Sequence, residues 1–182
     1  MDTLRGILLV ALLVGMGSVA GATGTESVAS EYRVKAVFLF NFTQFVEWPA
    51  NAFADAEAPF VIAVVGKDPF GAVLDEVIRG ERVAKHPLVV ERYENLRQVQ
   101  RCNLLFIARG GGGFDPALAA TKGRRILTVS DADESELRGV MIRLVMRDKR
   151  VRLRIDANAV KADELTISSK LLRAAELVEG DG

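Results

Sequence analysis

The chain has 182 residues, with 24 Lys and Arg against 24 Asp and Glu, so its formal net charge is zero and a wholesale electrostatic role on nucleic acid or anionic lipid is unsupported. A single histidine excludes histidine-based zinc sites of the HExxH kind, and a single cysteine, Cys102, excludes any disulfide within the chain. Stability must come from packing, and the length fits one ordinary domain with a real core.

Met1–Arg5 is a short polar start with one positive charge, followed by the apolar run Ile7–Val14, which is too short to span a bilayer. Behind it, Gly15–Gly24 is made of small residues apart from Met16 and Val19, and Ser18-Val19-Ala20 and Ala20-Gly21-Ala22 offer cleavage sites. Residues 1–22 therefore read as a cleavable export signal, with the mature chain starting near Gly21 or Thr23. An uncleaved membrane anchor is the alternative, but the run is short and glycine-rich for one. No other apolar run approaches transmembrane length.

Thr23–Ala29 reads as a linker, after which Ser30 offers an N-cap to a helix with Glu31 in its first turn. Val34, Val37, Phe38, Phe42, Phe45 and Val46 recur at helical spacing and predict its buried face, broadened by Leu39 and Phe40, and Pro49 ends it. Phe60–Val65 is a continuous apolar run closed by Gly66, the pattern of a buried strand. A helix over Phe70–Arg79 follows, then a strand at Leu88–Glu91, a short helix around Asn95–Val99, a strand at Leu104–Ala108, a helix at Pro116–Thr121 and a strand at Ile126–Val129. That alternation predicts an α/β fold: a largely parallel central sheet with helices on both faces.

The end differs. Val140, Ile142, Leu144 and Met146 alternate with outward positions, Val151, Leu153 and Ile155 do the same, and the turn Arg147–Arg150 lies between them, which predicts an antiparallel hairpin at the sheet's C-terminal edge. A last helix from Leu165 to Val178 would bury Ile167, Leu171, Leu172, Ala175 and Val178. No internal boundary shows, so residues 30–182 read as a single domain.

Candidate chemistry is sparse. His86 precedes Pro87 in what reads as a loop, with no Ser or Cys in a recognisable nucleophile context, so it is expected to be a solvated histidine rather than a general base. Lys67 and Asp68 follow a strand and open a helix; they either form a structural turn, with Asp68 as N-cap and Pro69 at N1, or contact a small ligand. Gly111 and Gly112, within the run Gly110–Gly113, lie where α/β sheets collect ligands, or else serve as a flexible connector. Asp131, Asp133, Glu134 and Glu136 lack a calcium-loop pattern and read as a solvated acidic loop. Cys102 opens an apolar run and reads as a buried structural thiol.

The hairpin is the more suggestive surface. Arg143, Arg152 and Arg154 share the face opposite the apolar residues, Asp156 stands at its end, and Arg147, Lys149 and Arg150 crowd the turn. Such basic residues either block edge-to-edge pairing or meet an acidic patch on a partner or a headgroup surface.

Several segments, in order, resemble one family of periplasmic proteins, the YfiR family. Glu31–Phe42 with Phe45-Val46-Glu47-Trp48-Pro49 looks like its opening Y-x-V-K-A-x-F-L-Y-N-F and F-V-E-W-P. Phe60–Gly71 is similar to its first strand and G-x-D-P-F-G turn, and Cys102–Ile107, Leu127–Asp131, Gly139–Ile142 and Ile167–Leu172 continue the match. The family's I-N-x-x-A-A-x-x-A-G-L-K-I-S-S appears as Ile155–Ser169, with Asp156 and Glu164 departing from it. Some relatives use paired cysteines as a redox control, which a single Cys102 does not allow within this chain.

The resemblance implies a periplasmic repressor that binds the periplasmic sensor region of an inner-membrane diguanylate cyclase and holds down cyclic di-GMP signalling and biofilm formation. Such a protein needs no catalytic residue, metal or cofactor, and a homodimer is compatible with it. The partner surface is expected at Arg143, Arg152, Arg154 and Asp156. The alternative is a periplasmic small-ligand-binding protein using Lys67, Asp68, Gly111 and Gly112.

Overall fold

The computed structural model describes residues 22–110, 118–133 and 137–178. The expected export signal over residues 1–22 lies outside the described residues apart from Ala22, as do Gly111, Gly112, Glu134 and Glu136.

Helix α1 spans Ala22–Phe45 and so runs through the stretch expected to be a linker, beginning eight residues before Ser30. Nothing between Ala22 and Ser30 stops it: there is no proline, and a lone Gly24 is tolerated. Its buried face is also turned from the expected one. Lys35, Ala36, Leu39, Phe42 and Thr43 are buried, whereas Val34 and Val37 are each 43% exposed.

Strand β1 (Val46–Glu47) leaves α1 directly and the 3-10 turn Ala50–Ala52 follows it. Next come β2 (Phe60–Val65), α2 (Ala72–Ile78), β3 (Arg82–Val83) and β4 (His86–Tyr93). A 3-10 turn at Leu96–Gln98 takes the place of the short helix, closed by a capping box between Asn95 and Gln98. Strands β5 (Leu104–Ile107) and β6 (Leu127–Ser130) are followed by the hairpin β7 (Ile142–Arg147) and β8 (Arg150–Asp156). Helix α2 starts at Ala72 rather than Phe70, because Asp68 accepts from the Phe70 amide at 2.8 Å in a turn of its own and Gly71 takes the cap position.

The chain after β8 corrects the expected single helix over Leu165–Val178. It forms α3 (Ala157–Ala162), β9 (Thr166–Ile167), α4 (Ser169–Arg173) and β10 (Glu176–Val178). Asp156 caps α3 by accepting from the Ala159 amide, and Ser168 caps α4 by accepting from Leu171. Ile167 is held by antiparallel pairing with Val46, and the Ser168 amide donates to the Phe45 carbonyl at 2.8 Å.

Among the described residues the main sheet runs β10-β8-β7-β6-β5-β2-β4-β3. From β7 to β4 all neighbours are parallel, as the alternation predicted, and β7–β8 is the expected antiparallel hairpin. That hairpin is not outermost: β10 pairs parallel with β8, Glu176 opposite Arg154. One face of the sheet packs Ile62, Val64, Leu104, Phe106, Leu127, Ile142 and Leu153 against Leu39, Phe42, Leu74, Val160 and Leu171 from α1, α2 and two short helices near the C-terminal end. The other face buries Val61, Ala63, Leu105 and Ile107 under Leu96, Leu118, Leu137 and Val140. Continuous apolar strands such as Phe60–Val65 follow from being covered on both sides.

Candidate functional site

The polypeptide leaves β2 for β4 on one side and returns through β5 on the other, so the carboxyl ends of β2 and β5 form the switch point at which such sheets receive ligands. Gly66 turns there with φ 93°, and the Ala108 amide donates to the Val65 carbonyl at 3.0 Å. The loops carrying Lys67–Phe70 and Gly110 thus flank one crevice. Lys67 is exposed, but Asp68 is engaged: its second oxygen accepts from the Arg92 Nε at 2.7 Å.

Helix α1 fills that crevice. Asp131, just beyond β6, accepts from Lys35 Nζ at 2.7 Å and from the Tyr32 hydroxyl at 2.8 Å on one oxygen, and from the Arg109 amide at 3.1 Å on the other. Lys35 also meets Glu31 one helical turn earlier at 2.5 Å, and its ammonium lies 4.5 Å from the Tyr32 ring centroid. The Arg109 guanidinium sits 3.6 Å from both Glu31 and Asp131 and is 55% exposed. Two carboxylates thus face two cations. Burial, and then the hydrogen bond to Asp131, push the Tyr32 hydroxyl well above the usual tyrosine range, so it stays a donor. Both Asp131 oxygens already accept hydrogen bonds, so the arrangement clamps α1 to the strand ends and offers no ready base. The expectation of a solvated acidic loop is corrected at Asp131, which is 5% exposed, because Lys35 is there to receive its charge.

Sequence reasoning missed this cluster. Its traces were the Glu31–Lys35 spacing of four and a lysine set between Val34 and Ala36 on an apolar helix.

On the hairpin, the expectation that Arg143 shares an exposed face is also corrected. Arg143 is 8% exposed and donates to the carbonyls of Ala132 at 2.6 Å and Leu137 at 2.7 Å. It lies directly opposite Arg154, which is half-buried, while Arg152 opposite Val145 is exposed. Asp156 is occupied as the α3 cap. The structure therefore leaves Arg152, with Arg147, Lys149 and Arg150 at the turn, as the accessible cations of the predicted surface.

Two cavities among the described residues open at the opposite, amino ends of the strands. One, of about 690 Å³, is lined by Asp55, Glu91, Tyr93, Cys102 and Arg124; the other, of about 860 Å³, by Val46, Trp48, Phe53, Val83 and His86. His86 is not a solvated loop residue: it opens β4, stacks on Phe53 at 3.7 Å and donates through Nδ1 to the Ala58 carbonyl at 2.6 Å. Cys102 is buried as expected, and burial pushes its thiol up to about 12.

A family model described as YfiR/HmsC-like matches residues 32–176. The chain belongs to the YfiR/HmsC-like family. No curated protein matches the chain. The YfiR/HmsC-like span runs from Tyr32 in the charge cluster to Glu176 in β10, and it takes in Lys35, Arg109, Asp131 and the whole β7–β8 hairpin. Among the described residues of this YfiR/HmsC-like chain, no helix is long and apolar enough to cross a membrane.

Proposed function

We propose that this protein is a periplasmic repressor that binds the periplasmic sensor region of an inner-membrane diguanylate cyclase and lowers cyclic di-GMP signalling. The observation that carries the reading is the YfiR/HmsC-like match over residues 32–176. It is supported by a site whose carboxylates are engaged in holding α1 rather than poised for chemistry. Repression requires only that the protein bind one sensor conformation better than the other. The partner surface is the C-terminal hairpin, entered through Arg152 and the turn cations, with Arg143, Arg154 and Asp156 behind them fixing its shape.

Co-purification of the processed protein with the periplasmic region of a membrane cyclase encoded beside it tests this. A saturable complex is expected, and its absence at micromolar concentration would overturn the proposal. A second reading, a small-ligand-binding protein, is favoured by the 860 Å³ cavity beside Trp48 and His86 rather than by the loops at Lys67 and Asp68. A thermal-shift screen against periplasmic metabolites decides it, since a ligand of the folded state raises the Tm.

A further inference from the structure

The tip of the β7–β8 hairpin is built at a conformational cost that its fold does not require. Asp148 and Lys149 form a two-residue turn with φ 52° and 59°. Left-handed backbone at both positions matches the twist of the strands, but the second position is the one where glycine is favoured. A lysine held there points to a use for its side chain.

Its neighbours indicate what that use is. Lys149, Arg150 and Arg152 are exposed, and Arg147, 65% exposed, has Glu176 at 3.7 Å. Met146 lies on the other sheet face at the same tip and is 43% exposed. Surfaces that merely block strand pairing tend to use lysine, whereas three of these four cations are arginine, whose planar fork matches carboxylate pairs. Arginine and methionine are also residues enriched in protein interfaces.

We propose that the hairpin tip is a docking surface for an acidic protein surface that embraces both faces of the tip, Met146 on one face entering an apolar socket and Lys149, Arg150 and Arg152 meeting carboxylates at the turn and on the other face. This rests on the reading of the protein as a partner-binding regulator, and it names the chemistry of the partner's contact.

The test uses isotopically labelled processed protein and, as probe, a short peptide of alternating Glu and Leu, with phosphatidylglycerol vesicles in a parallel arm. Saturable amide shifts confined to residues 145–153 are expected with the peptide. Lys149→Gly should raise the Tm by about 2–4 °C while weakening peptide binding about tenfold, a combination a purely structural turn does not produce. Arg150→Glu with Arg152→Glu should weaken it about a hundredfold. Peptide shifts absent or elsewhere, shifts with vesicles alone, or a Lys149→Gly variant that keeps its affinity would each overturn the proposal. Because Lys149→Gly stabilises the fold, the test survives misfolding of the double variant. Peptide binding at the tip without any cyclase complex would count against the repressor reading alone.

Discussion

Lys35 Nζ and an Asp131 carboxylate oxygen lie 2.7 Å apart with both side chains fully buried, joining the middle of α1 to the end of β6. Taking either charge away leaves the other in a low-dielectric interior. Lys35→Met or Asp131→Leu alone should therefore cost about 3–5 kcal/mol in urea unfolding, whereas the double variant should recover most of that loss. Strict additivity of the two single losses would show that the pair is not coupled.

Arg143 holds the segment between β6 and β7 by donating to the Ala132 and Leu137 carbonyls. Arg143→Ala should destabilise the protein by about 2–4 kcal/mol, since charge-assisted bonds are lost and two carbonyls are left short of a donor. An exposed partner-contacting arginine would instead change stability by less than about 0.5 kcal/mol, so denaturant titration separates the two roles.

Asp156 and Ser168 act as N-caps for α3 and α4. Asp156→Ala and Ser168→Ala should each cost about 1 kcal/mol, and Asp156→Ser should restore most of its share by capping with a hydroxyl. Failure of Asp156→Ser to recover stability would mean that the carboxylate charge matters beyond capping.

The alkaline limb of stability follows from Tyr32 and Cys102. Both groups lose their protons less readily in the fold than in the unfolded chain, the thiol reaching about 12 through burial. The unfolded state therefore deprotonates first: the contribution is complete below the unfolded values of about 8.5 for Cys and 10 for Tyr, and it is lost as pH rises through that range toward the folded values. Unfolding free energy should fall steadily above about pH 9 in the wild type and less steeply in Cys102→Ala with Tyr32→Phe. Native Cys102 should resist alkylation at pH 8 and react readily once denatured, a difference mass spectrometry reads directly.

How much of this was legible beforehand depends on how locally each element is specified. Phe60–Val65 is a strand to the residue, because an apolar run bounded by a turn glycine has few alternatives. The face of α1 was rotated because a pattern of apolar residues counts Lys35 as outward, and only its distant partner Asp131 allows it inside. The tail misled for a related reason: Leu165–Val178 carries helical spacing, yet Val46 pairs with Ile167 and Arg154 with Glu176, contacts that local periodicity does not contain. The hairpin was legible as an element, while the division of its arginines between support and surface depended on the loop beneath Arg143.

The pairing of Val46–Glu47 with Thr166–Ile167 has a further consequence for the order in which the protein folds. It ties the C-terminal end of the first helix to a segment far along the chain, a second fastening beside the one that Lys35 and Asp131 provide. Closure of such distant ends is slow relative to local structure. The joint between Val46 and Ile167 is therefore expected to close after the local elements on either side of it have formed.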